Sequence, residues 1–238
     1  MTNLNMALFA LTGLGNAVLR HLLSKGIVPK ILVTRNEPRP FPYYDEIDLS
    51  VEATANKIPV MYGLEGEKFV ENSALDVIFV ASYHRLLKPA LISSARHAIN
   101  FHPSLLPKYR GASPFYWVLR NGEKTTGVTA HFLAADADAG DILLQESIDI
   151  TLPETQGTLR KKLAELTGRL AVDVVKNIQA GSLRPAVQDE SQATYYPRVT
   201  PEVCKIQTDW SDVEIERHTR ALSPYPGVIQ IDGPVEPT

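Results

Sequence analysis

Two kinds of apolar spacing alternate along the first part of this chain. Short, nearly unbroken apolar runs occur at Asn5–Ala10, Ile31–Val33, Ile58–Met61, Val77–Ala81 and Ala98–His102, and runs of that length and density predict strands buried on both faces. Between them lie segments with apolar positions at helical spacing, such as Val18, Leu19, Leu22 and Leu23 after the turn-prone Thr12-Gly13-Leu14-Gly15. Helices are also predicted over Ser50–Asn56, Glu67–Asn72 and Pro114–Arg120. The three prolines of Pro38–Tyr44 remove backbone donors and predict an exposed loop. An alternating strand over Thr126–Phe132 and a strand at Ile142–Gln145 flank the short acidic loop Asp136-Ala137-Asp138-Ala139-Gly140-Asp141. Leu159, Leu163, Leu166, Leu170, Val174 and Ile178 then mark one long helix that Gly181 stops.

Strands alternating with helices predict the α/β class: a mostly parallel, twisted sheet with helices on both faces. Beyond Gln188 the apolar pieces shorten, with a helix over Asp212–Leu222 and no defensible structure in the tail Asp232–Thr238. The division expected is therefore a main domain over 1–187 and a short C-terminal α+β appendage over 188–238.

Composition narrows the functional classes. With 238 residues, 44% of them hydrophobic and 21% charged, the chain has the make-up of an ordinary globular protein that buries a core without staples. A net charge of -3 supplies no field that draws nucleic acid or an anionic membrane. One cysteine, Cys204, excludes an intrachain disulfide. No apolar run is long enough to cross a bilayer, and the first residues lack the pattern of an export signal, so a cytoplasmic location is expected.

The chemistry concentrates between Asn100 and Asp138. Asn100 and His102, two apart on a predicted strand, point to the same face. Burying an amide and an imidazole without partners costs roughly 1–3 kcal/mol each, so this pair must be satisfied or used. Ser82-Tyr83-His84-Arg85-Leu86-Leu87, directly after a predicted strand, is a candidate binding loop because ligands of parallel sheets sit beyond the strands' carboxyl ends. The acidic loop falls short of the calcium-loop pattern, and no metal is expected. Gly13 and Gly15 lack the third glycine of a dinucleotide fingerprint and are read as a close strand-to-helix turn; a nicotinamide-dependent oxidoreductase would rest on them alone.

Asn100-Phe101-His102-Pro103-Ser104-Leu105-Leu106-Pro107 with Arg110-Gly111 resembles the signature of the folate-dependent formyltransferases, and Asp138-Ala139-Gly140-Asp141-Ile142 is similar to that family's second motif. The resemblance runs from Asn5 to about Gly227. It implies a Rossmann-like fold and transfer of a formyl group from 10-formyltetrahydrofolate to a primary amine. It further implies that Asn100 donates to the developing oxyanion, that His102 shuttles the proton and that Asp138 orients the imidazole. The folate would lie among Ser82, Tyr83, His84, Arg85, Leu86, Leu87, Leu105, Asp136 and Asp141, while Arg110 either binds ligand or braces its loop.

Within the resemblance, the chain ends soon after Gly227, where the tRNA branch carries a further basic domain. Gln188 through Tyr225-Pro226-Gly227 looks like the link found in the tRNA and sugar branches. The acceptor expected is therefore a nucleotide-linked amino deoxysugar used in surface polysaccharide synthesis, with Tyr43, Tyr44, Tyr195, Tyr196, Trp210 and Tyr225 as candidate base stackers. A homodimer joined through the link after Gln188 is expected. The alternatives are the catalytic part of a methionyl-tRNA formyltransferase and a folate- or nucleotide-binding module without chemistry.

Overall fold

The computed structural model describes residues 4–35 and 47–229; the expected loop at Pro38–Tyr44 and the tail at Asp232–Thr238 lie outside them. A seven-stranded sheet forms the centre, in the order β3-β2-β1-β4-β5-β7-β8. Its strands are β1 (Met6–Ala10), β2 (Ile31–Thr34), β3 (Val60–Tyr62), β4 (Leu75–Ala81), β5 (Ala95–His102), β7 (Thr125–Phe132) and β8 (Ile142–Asp149). The first five are parallel, and β7 runs antiparallel to both β5 and β8. This is the expected Rossmann-like α/β architecture.

Side-chain alternation explains why the central strands read as unbroken apolar runs. In β1, Met6, Leu8 and Ala10 enter one core while Ala7 and Phe9 enter the other, and in β4 Val77, Phe79 and Ala81 part in the same way from Ile78 and Val80. The larger core lies under α1 (Leu14–Ser24), α5 (Pro114–Arg120), α6 (Gln156–Ala180) and α7 (Asp212–Leu222). The smaller one includes Val70 of α3 (Gly63–Glu71) and Leu91 of α4 (Pro89–Ser93). A seven-residue helix, α2 (Leu49–Ala55), begins at Asp48, whose side chain caps it by accepting from Ser50 N–H.

The long helix α6 starts at a capping box of Thr155 with Thr158, and it ends at Gly181, the expected stop, in the left-handed conformation. It crosses α1 at Gly168, where an added Cβ would stand 2.7 Å from the Ala17 carbonyl oxygen. The turn after β1 also needs its glycines: Gly13 has φ 105°, and a Cβ on Gly15 would meet Ala10 Cβ at 2.7 Å.

Some boundaries differ from the sequence reading. α3 begins at Gly63 instead of Glu67, and β8 continues to Asp149 because its pairing with β7 carries past the apolar stretch. The late segment contains a two-residue parallel pairing that no local pattern announces, between β6 (Arg110–Gly111) and β9 (Tyr195–Tyr196). Ala221 and Leu222 of α7 and Cys204 join the larger core, so the late segment packs on the sheet domain. No described helix is long and apolar enough to cross a membrane.

Candidate active site

Asn100 and His102 share the face of β5 that Ala98 contributes to the smaller core. Towards the carboxyl end of β5 that face turns polar, since Thr129 and His131 of the adjoining β7 pair directly with His102 and Asn100. His131 is fully buried and His102 nearly so. Burial, and then the proximity of His102, push the His131 imidazole down to about 4, against the opposing pull of Asp138. At neutral pH the ring is therefore uncharged.

That neutrality fixes a hydrogen-bond direction. His131 Nδ1 lies 2.8 Å from the Phe132 carbonyl oxygen and must donate to it, which leaves Nε2 as an acceptor. Asn100 Nδ2, at 3.1 Å, donates to that Nε2, so the neighbouring ring sets which end of the Asn100 amide faces the site. His102 is oriented by its Nε2, which donates to the Tyr109 carbonyl oxygen at 2.8 Å. Its other nitrogen, Nδ1, faces Asp138 Oδ1 at 3.5 Å.

Asp138 Oδ1 is the meeting point, 3.4 Å from Asn100 Nδ2 and 3.7 Å from His131 Nε2 as well. Its Oδ2 accepts the Gly111 N–H at 2.9 Å. The carboxylate reaches this place from a backbone with φ 57°, a left-handed conformation costing a non-glycine residue about 1 kcal/mol. Gly140 lies against the end of β7, where a Cβ would stand 1.9 Å from the Phe132 carbonyl oxygen. Glycine at 140 is thus a steric requirement of this loop.

The proline-rich loop after His102 is pinned from below. Thr129 Oγ1 donates to the Ser104 carbonyl at 2.7 Å and accepts the Leu106 N–H at 3.1 Å. Gln145 Nε2 donates to the Leu106 carbonyl at 2.9 Å. Arg110 braces its loop: it is buried, donates to both Glu190 carboxylate oxygens at 2.6 and 2.9 Å, and also bonds Gln188 and Tyr195.

The candidate folate loop lies at the carboxyl end of β4. Ser82 has φ 58°, and Ser82, His84, Arg85 and Leu86 are exposed. Tyr83 packs edge-on against Phe9 and its hydroxyl donates to the buried Glu67 at 3.1 Å, with Arg85 Nε on the same oxygen at 2.7 Å. Burial and the Glu67 carboxylate raise the Tyr83 phenol well above its ordinary value, so it stays protonated. Leu105 and Asp141 are half-buried and Asp136 is exposed. Among the described residues, no group of three or more His, Cys, Asp or Glu is arranged to hold a metal.

Of the aromatic candidates, Tyr196 is stacked between Tyr109 and Trp117, and Trp210 lies under the Arg120 guanidinium. Tyr195 and Tyr225 keep exposed surface, and Tyr43 and Tyr44 lie outside the described residues. Sequence reasoning did not single out His131 or Gln188. The available signal for His131 was an imidazole near the end of an otherwise apolar and small-residue strand, which without the register cannot be placed beside Asn100.

Residues 62–175 match the formyl transferase family. Over 151 residues the chain is 39% identical to methionyl-tRNA formyltransferase of Streptococcus pyogenes serotype M28 (strain MGAS6180), covering 63% of this chain and 49% of that protein. It thus spans about half the length of the curated relatives it matches. Among solved structures, a 4-N formyltransferase from Francisella tularensis superposes with a TM-score of 0.77 at 19% identity, over 97% of this chain and 94% of that one. An N-formyltransferase from Helicobacter canadensis, in complex with folinic acid and dTDP-3-aminofucose, gives a TM-score of 0.75 at 21% identity, over 92% and 80%.

Proposed function

We propose that this chain, whose residues 62–175 match the formyl transferase family, moves a formyl group from 10-formyltetrahydrofolate to the primary amine of a nucleotide-linked amino deoxysugar. The observation that carries formyl transfer is the convergence of Asn100, His102 and Asp138 around one carboxylate oxygen at the end of β5. As the amine nitrogen attacks the formyl carbon, negative charge develops on the formyl oxygen. Asn100 Nδ2, with one proton held by His131, turns its second from the long 3.4 Å contact with Asp138 to that charge, a contribution of about 3–4 kcal/mol when preorganised. The attacking amine loses one proton and N10 of the folate gains one as the C–N10 bond breaks. His102 carries that proton, and its charged form is stabilised by Asp138 and the Tyr109 carbonyl. We assign the folate to the Ser82–Leu87 loop with Leu105, Asp136 and Asp141, a loop in which Ser82, His84, Arg85 and Leu86 are exposed.

The sugar-nucleotide acceptor is supported by the structural likeness to an N-formyltransferase in complex with dTDP-3-aminofucose and by the net charge of -3. The second reading, methionyl-tRNA, is favoured by the 39% identity to a methionyl-tRNA formyltransferase. The two separate when the protein and 10-formyltetrahydrofolate are incubated with dTDP-4-amino-4,6-dideoxyglucose and, in parallel, with Met-tRNA. Formylated sugar detected by mass spectrometry is the expected product. Turnover of Met-tRNA alone would reject the sugar reading, and folate binding with no transfer to either amine would leave a binding module.

A further inference from the structure

Gln188 lies fifty residues beyond Asp138, in the segment that follows α6, yet it is 5% exposed and its side-chain amide is fully engaged at the site. Its Nε2 donates to the Asp138 carbonyl at 2.8 Å and to the Gly140 carbonyl at 2.7 Å. Its Oε1 accepts from Arg110 Nη2 at 2.7 Å and Nε at 3.2 Å. Both amide protons and both oxygen lone pairs are therefore used, and the amide has one possible orientation. Turned over, it would set oxygen against two carbonyls and nitrogen against a guanidinium. Arg110 is held in turn by Glu190 and Tyr195 of the same late segment.

We propose that Gln188 is a positioning residue of the reaction, holding the Asp138 loop so that the carboxylate, whose backbone is left-handed, faces His102 and Asn100. The role rests on the formyl-transfer reading for its catalytic consequence, but the geometry it maintains is independent of the acceptor. Asp138 receives one short bond to its carboxylate, from Gly111, and the three site nitrogens around Oδ1 stand at 3.4–3.7 Å. These contacts act on the Asp138 side chain. The two Gln188 bonds act on its backbone, where a shift of about 1 Å is enough to cost on the order of a hundredfold in rate.

The experiment uses the full chain in two variants. Gln188→Met removes both donors and the acceptor; Gln188→Glu keeps an oxygen for Arg110 and removes the donors, so it serves if the first variant does not fold. The His102 ring signals are followed by NMR, assigned with a His102→Ala sample, and turnover of 10-formyltetrahydrofolate with the amino sugar is measured alongside. In Gln188→Met the His102 ring chemical shifts should move towards those of Asp138→Asn, because the carboxylate facing Nδ1 has moved away. In both Gln188 variants kcat should fall on the order of 10- to 100-fold, and the same substitutions in an Asp138→Asn background should change kcat by less than about twofold, since the effect runs through Asp138. Val187→Thr, at an exposed neighbour, is the control expected to match the parent. If the parent is active and Gln188→Met and Gln188→Glu leave both readouts unchanged, or their losses add to that of Asp138→Asn, the proposal fails. If the His102 ring signals move as expected but the parent transfers no formyl group, the positioning role stands and the formyl-transfer reading fails.

Discussion

The two halves of the candidate site are held in different ways. Asn100, His102 and His131 stand on adjacent strands of the central sheet, and their rings and amide are fixed by bonds within β5, β7 and the loop that follows β5. Asp138 stands on a loop, in a strained conformation, and is held by residues that arrive late in the chain. In the first half, position comes with the fold; in the second, it depends on a buried cation and its partners. Removing a strand residue should therefore reduce rate far more than stability, whereas removing a loop support should reduce both.

The largest stability effect is expected from Arg110→Met. It leaves the buried Gln188 oxygen short of a donor and uncouples the exposed Glu190 and Tyr195, and an unsatisfied buried acceptor costs about 1–3 kcal/mol. Urea denaturation measures it, and a change below about 1 kcal/mol would dissolve the distinction between the halves. Asn100→Ala and His102→Ala should lower kcat by on the order of a hundredfold or more, with a much smaller change in the urea midpoint. A near-normal rate in either would remove that residue from the mechanism.

His131 supplies the third test. Its pKa is about 4 in the fold against an unperturbed value near 6.5, so protonation favours the unfolded chain. The associated stability is fully present above pH 6.5 and is lost as pH falls towards 4, amounting to about 3 kcal/mol over that window. His131→Gln should flatten the pH dependence of the thermal midpoint there. An unchanged slope would mean that other groups set the acid limit.

Much of the protein was legible without coordinates. Apolar runs dense enough for burial on both faces predicted the parallel sheet, and the spacing from Leu159 to Ile178 predicted α6, because strand and helix periodicities are local properties. Asn100 and His102 stood out because two polar groups on one face of a buried strand demand an explanation. The proximity of His131 to Asn100 was not legible, since it depends on how β7 registers against β5. Nor was the role of Arg110, which its motif left open between ligand contact and brace, or that of Gln188. Their partners lie about eighty and fifty residues away and meet only when the late segment docks. Sequence alone determined the elements and the presence of an amide and an imidazole on one face of a buried strand. Tertiary structure decided which nitrogen faces which oxygen, because hydrogen-bond direction depends on neighbours that only the folded chain brings together.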